Sequence, residues 1–359
     1  MKNFVHNKLD KINNILLREI SDMKNPGLLN GKMGVSLYFF HLAKETESRE
    51  HQEFAEQLID EVYEEVGKNQ LPPDFENGLA GIAWCIEYLV QNGFVEAETD
   101  QILRDVNDKI YRFISSNQEF PVGILQGVMG YMVYILSLLN GKDLNSNDFS
   151  TMIFRRLLIG LINRLGAAIE ENKLMVQEPR LFEITWELPL SLVLLSRCYA
   201  LGVHTTKIER ILDHIAPYII TLYPRFSYHR LYLLFGMETV LQQINLPEWK
   251  HHADFLKQGI QTDNIIDHEL KNKNILFQDG TAGVAFISRQ VSQLSGYPLF
   301  MFRKEQLIQK ITTSEYWEWI ERKQPEKKMN PGLMTGLTGI AMELLELLIE
   351  QPEKSELIY

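Results

Sequence analysis

Three side chains that could exchange protons lie at or just ahead of the start of strongly apolar segments. They are Glu187, His229 and Asp279. A carboxylate or an imidazole can act as a general acid or base, and a pair of carboxylates is what glycoside hydrolysis requires. We therefore treat these three as candidate catalytic residues, although surface solvation would account for each of them equally well.

Six polar or aromatic residues in comparable positions are candidate binding residues. They are Gln126, Trp186, Tyr232, Arg230, Gln278 and Thr335. Asn, Asp and Thr at a helix start commonly cap its first amides, which is a sufficient reason for Asp279 and Thr335. Gln126, Glu187 and Tyr232 cap helices poorly. Capping therefore does not explain these three residues.

The sequence offers no convincing metal site. Metal-competent side chains cluster at residues 251–254 and 267–269, but both clusters lie in polar segments that we interpret as outer surface. Cys85 and Cys198 each fall inside an apolar run, where cysteine behaves as a small hydrophobic residue. We predict neither a metal nor a cofactor.

A repeat positions the candidate residues. The phrase at residues 25–34, NPGLLNGKMG, returns at residues 330–339 as NPGLMTGLTG, and aligning the chain on the second glycine gives seven copies. The second-glycine positions are Gly34, Gly81, Gly130, Ser191, Gly236, Gly283 and Gly339. The residues just before the first-glycine positions are Asn30, Asn77, Gln126, Glu187, Tyr232, Asp279 and Thr335. We expect these seven to face one mouth of the molecule.

The segments between the candidate residues predict an all-α protein. Each anchor is followed by a helix that is apolar nearly all round, which is typical of burial on every side. Segments with a one-sided apolar stripe lie between them and are expected to face solvent. The sequence therefore predicts a closed α/α toroid, or double α-barrel, of seven inner and seven outer helices with GxxG-type repeats, spanning residues 1–359 as a single domain.

Composition limits the partners. A net charge of -11, from 36 Lys and Arg against 47 Asp and Glu, opposes general binding to nucleic acid or anionic membranes. Residues 1–8 lack the apolar core of a secretory signal, and no apolar run approaches the roughly 18 residues of a membrane span. We expect a cytoplasmic protein with no nucleic-acid partner and no membrane span.

The repeated motifs resemble those of the LanC-like family, the lanthionine synthetase C proteins. The motifs are GLLNGKMG, ENGLAGIA, LQGVMGYM, QDGTAGVA and GLMTGLTGIA, and the resemblance runs from Asn25 to Ile349. It implies a double α-barrel of seven inner and seven outer helices. It also implies a zinc-dependent enzyme that joins a peptide cysteine to dehydroalanine or dehydrobutyrine and so forms a thioether ring.

This chain departs from the family at the residues that would carry that chemistry. The resemblance places zinc-binding Cys, Cys and His at Gln278, Met334 and Thr335, and no Cys follows Cys198. The family's catalytic His corresponds to Glu187. The sequence therefore predicts a divergent member without the usual zinc mechanism, and leaves open whether it is an enzyme or a pseudoenzyme.

Three functions remain open on the sequence alone. The first is lanthipeptide-type maturation, in which a modified precursor peptide binds in the toroid cavity and the partner is that peptide or a peptide-modifying enzyme. The second is a glycan-processing enzyme with paired carboxylates, since other α/α toroids host such chemistry. The third is a non-catalytic interaction scaffold.

Overall fold

Helices account for most of the residues that the computed structural model describes, which are 2–68, 70–117, 119, 121–144, 148–174, 178–270, 274–295, 300–321 and 328–349. These residues form α-helices, one 3₁₀ turn (Ile20–Asp22) and one π turn (Ile265–Glu269), and they contain no β-strand. The α-helices are α1 (Lys2–Glu19), α2 (Lys32–Thr46), α3 (Arg49–Lys68), α4 (Leu79–Gln91), α5 (Thr99–Ile102), α6 (Arg104–Ser116), α7 (Val128–Leu139), α8 (Phe149–Glu170), α9 (Glu187–Ala200), α10 (Thr205–Ile219), α11 (Ser227–Leu241), α12 (Pro247–Gly259), α13 (Thr262–Asn264), α14 (Thr281–Ser295), α15 (Lys304–Thr312), α16 (Glu315–Glu321) and α17 (Leu337–Glu346). Within this part of the chain, no helix has the length and hydropathy needed to cross a membrane.

Seven helices form a closed inner ring. In chain order they are α2, α4, α7, α9, α11, α14 and α17, and they belong to copies one to seven of the repeat. Each packs against the next, and α17 packs against α2. Their side chains are buried nearly all round; in α2, for example, Val35 to Phe40 are at most 2% exposed. The predicted α/α toroid is confirmed.

One outer helix covers each inner helix. Helix α3 packs on α2, α6 on α4, α8 on α7, α10 on α9, α12 on α11 and α15 on α14. Helix α1 packs on α17, so the first helix of the chain covers the last inner helix. Lys8 Nζ lies 2.6 Å from Glu321 Oε1 and ties α1 to the end of α16. The two ends of the described chain thus close the toroid together.

The glycine pairs are required by close backbone packing. A Cβ built on the second glycine of a clear copy would overlap the carbonyl oxygen six residues earlier, as Gly81 would overlap that of Phe75. The first glycine meets the same obstacle, as Gly78 does with Pro72. The first glycine is itself the N-cap, with extended backbone at Gly78 (φ -115°). Gly336 is likewise the N-cap of α17, so the expectation that Thr335 caps this helix is wrong.

The two degenerate copies begin their inner helices earlier than the repeat predicts. Helix α9 begins at Glu187, with Trp186 as its N-cap. Helix α11 begins at Ser227, so Tyr232 lies in its second turn and is 1% exposed. The prediction that Tyr232 precedes a helix start and faces the mouth is wrong. Gly236 is the tenth residue of α11, whereas Gly81 is the third residue of α4, so Gly236 does not mark the helix entrance.

Candidate functional site

Backbone hydrogen bonds join the loops at the helix starts into what we call the mouth belt. Each belt residue lies two positions before its helix's first glycine or, in copy four, before Trp186. The amide of each donates to the carbonyl of the next over 2.8 to 3.0 Å. The belt runs through Ile184, Gln278, Met334, Leu29, Glu76 and Leu125. Sequence reasoning missed it because these residues share a spacing and not a residue type.

Side chains at the mouth form a second chain of hydrogen bonds. Thr335 Oγ1 donates to Asn30 Oδ1 over 2.8 Å. The Asn30 amide then donates to Glu76 Oε1 over 3.4 Å. Gln126 Nε2 donates to the other oxygen of Glu76 over 3.2 Å. Glu76 thus connects two predicted binding residues, Thr335 and Gln126.

Asparagines six residues before the first glycine orient other mouth residues. Asn274 Nδ2 donates to Asp279 Oδ1 over 2.6 Å. In copy seven, Asn330 Nδ2 donates to Thr335 Oγ1 over 2.8 Å. Each asparagine also accepts a hydrogen bond from the amide two residues after it, which closes a local turn. The predicted residues Asp279 and Thr335 are therefore held by their own loops.

Glu187 lies at the mouth in an environment unlike that of the other carboxylates there. Its side chain is half-buried and has no hydrogen-bond partner among the described residues. A Cβ built on Gly123 of copy three would lie 2.8 Å from Glu187 Oε1. Burial raises the pKa of the Glu187 carboxyl above its ordinary value. The geometry therefore presents a carboxyl that can hold and release a proton at the border between copies three and four.

His229 is sealed inside the first turn of α11. Its side chain is 0% exposed, Nδ1 lies 2.7 Å from Glu178 Oε1, and Nε2 lies 3.2 Å from the Leu181 carbonyl oxygen. Burial lowers the pKa of the imidazole, against the opposing effect of the Glu178 carboxylate. The contacts join the start of α11 to the loop before α9. His229 was a candidate catalytic residue, but its side chain is fully buried and does not face the open mouth.

The other candidates near α11 are also structural neighbours of that helix start. Trp186 is 7% exposed, and its ring centroid lies 5.3 Å from that of His229. Tyr232 Oη donates to the Ile184 carbonyl over 2.5 Å. Arg230 Nη2 donates to Ser227 Oγ over 2.8 Å, and its guanidinium lies over the Tyr223 ring. Trp186 and Tyr232 are thus buried and Arg230 is half-buried near this helix start. The candidates at the mouth are half-buried or exposed; they are Gln126, Glu187, Gln278, Asp279 and Thr335.

The residues at the family's zinc-ligand positions do not fit a zinc site. Gln278 offers an amide, Met334 is 5% exposed, and the Thr335 hydroxyl is occupied by Asn30 and Asn330. Both cysteines are fully buried on other inner helices, α4 and α9, and burial raises the pKa of both thiols. The described residues contain no group of three His, Cys, Asp or Glu side chains that could hold a metal ion.

The fold and site define an α/α toroid whose inner helix starts form a polar mouth. Residues 237–357 match the family model described as "Lanthionine synthetase C-like protein". A solved structure, nisin cyclase, shares the fold with a TM-score of 0.66 and 16% sequence identity, over 96% of this chain and 94% of that chain. A comparison with curated proteins finds no match. The resemblance to the LanC-like family is confirmed, and the matched segment contains copies six and seven, where the family's zinc ligands would lie.

Proposed function

We propose that this protein binds a modified precursor peptide at the mouth of the toroid and takes part in lanthipeptide-type maturation. The observation that carries the proposal is the toroid shared with nisin cyclase, together with a mouth lined by polar groups. The LanC-like match over residues 237–357 supports the same peptide class. The usual zinc-bound thiolate is not part of the proposal, because Gln278, Met334 and Thr335 are not a zinc ligand set.

Glu187 is the residue that could take part in proton transfer there. When a thiol adds to dehydrobutyrine, a sulfur–carbon bond forms at the β-carbon, the π electrons move toward the α-carbon and its carbonyl, and the α-carbon then takes a proton. The thiol gives up its proton in the same addition. A half-buried carboxyl whose pKa is raised is suited to accept the first proton and to donate the second. Asp279 is held by Asn274 and would orient peptide amides.

The glycan-processing alternative lacks the aromatic surface that it would need. A sugar site needs exposed aromatic rings for stacking, and four aromatic residues lie near the helix starts. Phe75, Trp186, Tyr228 and Tyr232 are 5%, 7%, 2% and 1% exposed. The Phe75 ring packs against Trp84, the Trp186 ring packs against Tyr232 and His229, and the Tyr228 ring packs against His229. These four rings are therefore not available as sugar platforms.

The test is binding and conversion of a synthetic peptide that contains dehydrobutyrine and cysteine. We expect this peptide to bind more tightly than the same sequence with threonine in place of dehydrobutyrine. Mass spectrometry after thiol alkylation reports thioether formation, because only unreacted cysteine is alkylated. Binding without conversion would indicate a carrier of modified peptide. Failure to bind either peptide would contradict the proposal and leave the interaction scaffold.

A further inference from the structure

The end of the inner ring opposite the mouth carries a polar layer of its own. Helices α14, α17, α2 and α4 belong to copies six, seven, one and two, and each packs against the next. The residues seven positions after their second glycines form what we call the distal layer; they are Gln290, Glu346, His41 and Tyr88. Their common register places them at a similar height, in the second halves of the four helices.

Contacts join three of the four helices at this height. His41 Nε2 on α2 lies 3.1 Å from Tyr88 Oη on α4. Glu346 on α17 is close enough to Tyr88 to act on it electrostatically, and it acts in the same way on both members of the ion pair between Arg289 and Glu343. The distal layer and this ion pair therefore form one cluster.

Several acceptor oxygens in this cluster lack a donor in the part of the chain that the structure describes. Glu346 is half-buried, and its carboxylate makes no hydrogen bond there. Glu343 Oε1 accepts from Arg289 over 2.5 Å, but Oε2 of this 2% exposed residue is buried without a partner. Gln290 is 3% exposed, and its Oε1 is also buried without a partner. Unpaired buried acceptors are unfavourable, so the cluster favours a ligand that brings N–H groups.

Charge in the cluster favours a cation. Two carboxylates, Glu343 and Glu346, lie near one guanidinium, that of Arg289. Burial, and to a smaller extent Lys44, lowers the pKa of His41 to about 4, so the imidazole is neutral near neutral pH. Lys44 itself is exposed, and its ammonium lies over an aromatic ring. The carboxyl ends of the inner helices add partial negative charge.

Aromatic rings border the same cluster. Trp84 and Tyr88 lie one turn apart on α4 and stack, with ring centroids 5.4 Å apart and an interplanar angle of 19°. Ring faces attract organic cations, and their apolar surface can pack against an alkyl chain. No group of three His, Cys, Asp or Glu side chains within the described ranges could hold a metal ion. The cluster therefore suits an organic cation better than a metal ion.

We propose that the distal layer, together with Glu343 and Trp84, binds an organic cation that carries a primary ammonium group on an alkyl chain. The ammonium has three N–H donors for the free carboxylate and amide oxygens. The alkyl chain would pack against the rings of Tyr88 and Trp84. This site lies at the other end of the ring from the mouth and does not depend on the function proposed for the mouth.

Calorimetric titration of the whole protein with n-pentylammonium chloride tests this site. The titration is made at about pH 8, where Glu343 is ionised, because burial raises its pKa to about 7. We expect n-pentylammonium to bind about tenfold more tightly than the uncharged analogue 1-pentanol. Potassium chloride at the same concentration should not displace it. Equal binding of 1-pentanol, or displacement by potassium, would overturn the assignment of an organic ammonium ligand.

Two pairs of variants locate the ligand. Glu346→Gln should weaken binding of n-pentylammonium about tenfold, whereas Glu45→Gln, which neutralises an exposed carboxylate in the last turn of α2, should leave it unchanged. Tyr88→Leu should weaken binding about fivefold relative to Tyr88→Phe, which keeps an aromatic ring. Circular dichroism confirms that each variant is folded. If a Tyr88 variant does not fold, the comparison of the two glutamate variants still decides.

Two results would contradict the proposal. Equal affinities of Glu346→Gln and Glu45→Gln would show that the ammonium binds elsewhere on the protein. Absence of any binding by the wild-type protein up to about 10 mM n-pentylammonium would show that the cluster is not a ligand site. Neither result bears on peptide binding at the mouth, which the dehydrobutyrine peptide tests separately.

Discussion

At the residue scale, close backbone packing leaves no room for a side chain at the glycines of the clear repeats. A Cβ on Gly283 would overlap the Phe277 carbonyl oxygen and would also approach the Phe182 ring to 2.9 Å. Gly160 in α8 is exposed and has no atom within 4 Å of the same position.

We expect Gly283→Ala to lower the free energy of unfolding by more than about 2 kcal/mol. Gly160→Ala should raise it by about 0.5–1 kcal/mol, because alanine favours the helix. Urea unfolding measures both; equal effects would mean that the repeat glycines are not under steric constraint.

A buried carboxyl far from the mouth predicts how stability depends on pH. Glu343 on α17 is 1% exposed and pairs with Arg289 Nη1 over 2.5 Å. Burial raises its pKa from 4.5 to about 7, against the effect of Arg289. A raised folded-state pKa gives stability that is complete below the unfolded value and is lost as the pH rises through the folded value. The contribution of Glu343 to the free energy of unfolding should therefore be lost between about pH 4.5 and 7.

Unfolding of Glu343→Gln at both ends of that range tests the assignment. The variant should lack this part of the pH dependence, since it has no proton to lose. Glu45→Gln, which changes an exposed side chain on α2, should retain it. An unchanged slope in Glu343→Gln would place the titrating group elsewhere.

Residue positions were predictable where the repeat is clear. Gln126, Asp279 and Thr335 lie at the mouth as the glycine spacing indicates, and so does Glu187 although its copy has lost both glycines. The repeat misplaced Tyr232, because α11 begins before the expected position. Their roles in binding and catalysis stay predictions.

At the element scale, the start of α11 depends on carboxylates from elsewhere in the chain. The two oxygens of Glu269 accept the amides of Ser227 and Tyr228 over 2.8 and 3.1 Å. Glu178 accepts the Arg225 amide and contacts His229. These carboxylates cap free amides and lie at the positive end of the helix dipole. They explain why this inner helix starts without a glycine pair.

We expect Glu269→Ala to lower the free energy of unfolding by about 1–2 kcal/mol, because two helix-start amides lose their acceptor. Asp267→Ala is the control, since it removes a carboxylate from the same π turn that is exposed and accepts no hydrogen bond from α11. Thermal unfolding followed by circular dichroism compares the two. A similar effect of both substitutions would show that Glu269 stabilises the protein through its negative charge and not through its two hydrogen bonds to α11.

The inner helices were predictable because each is an apolar run, which only burial on all sides explains. The start of α11 was not, because its capping groups lie 42 and 47 residues away along the chain, at Glu269 and Glu178. The mouth belt could not be predicted either, because backbone hydrogen bonds do not depend on the type of residue.

At the scale of the whole molecule, the toroid closes where α1 packs on α17 and α17 packs on α2. Leu16 on α1 is 0% exposed and the adjacent Leu17 is 42% exposed. Leu16→Ala should lower the free energy of unfolding by about 2–5 kcal/mol, and Leu17→Ala should change it by less than about 1 kcal/mol. The loss should be seen equally by near- and far-ultraviolet circular dichroism, because the ring unfolds as a unit. Separate transitions would show that α1 detaches on its own.

The closed ring was predictable from the likeness of the first and last repeats, which an open solenoid with caps would not show. The prediction of one domain over residues 1–359 remains a prediction, and residues 350–359 lie outside the described part of the chain. Function was less accessible, because the scaffold that resembles the LanC-like family does not itself determine which residues bind a ligand or act in catalysis.

The most direct test of the central claim is equilibrium binding of a dehydrobutyrine-containing peptide to the protein before and after treatment with a zinc chelator. We predict the same dissociation constant in both cases, because Gln278, Met334 and Thr335 supply no zinc site and the mouth binds peptide through its own polar groups. Binding that is lost on chelation and restored by added zinc would contradict this account.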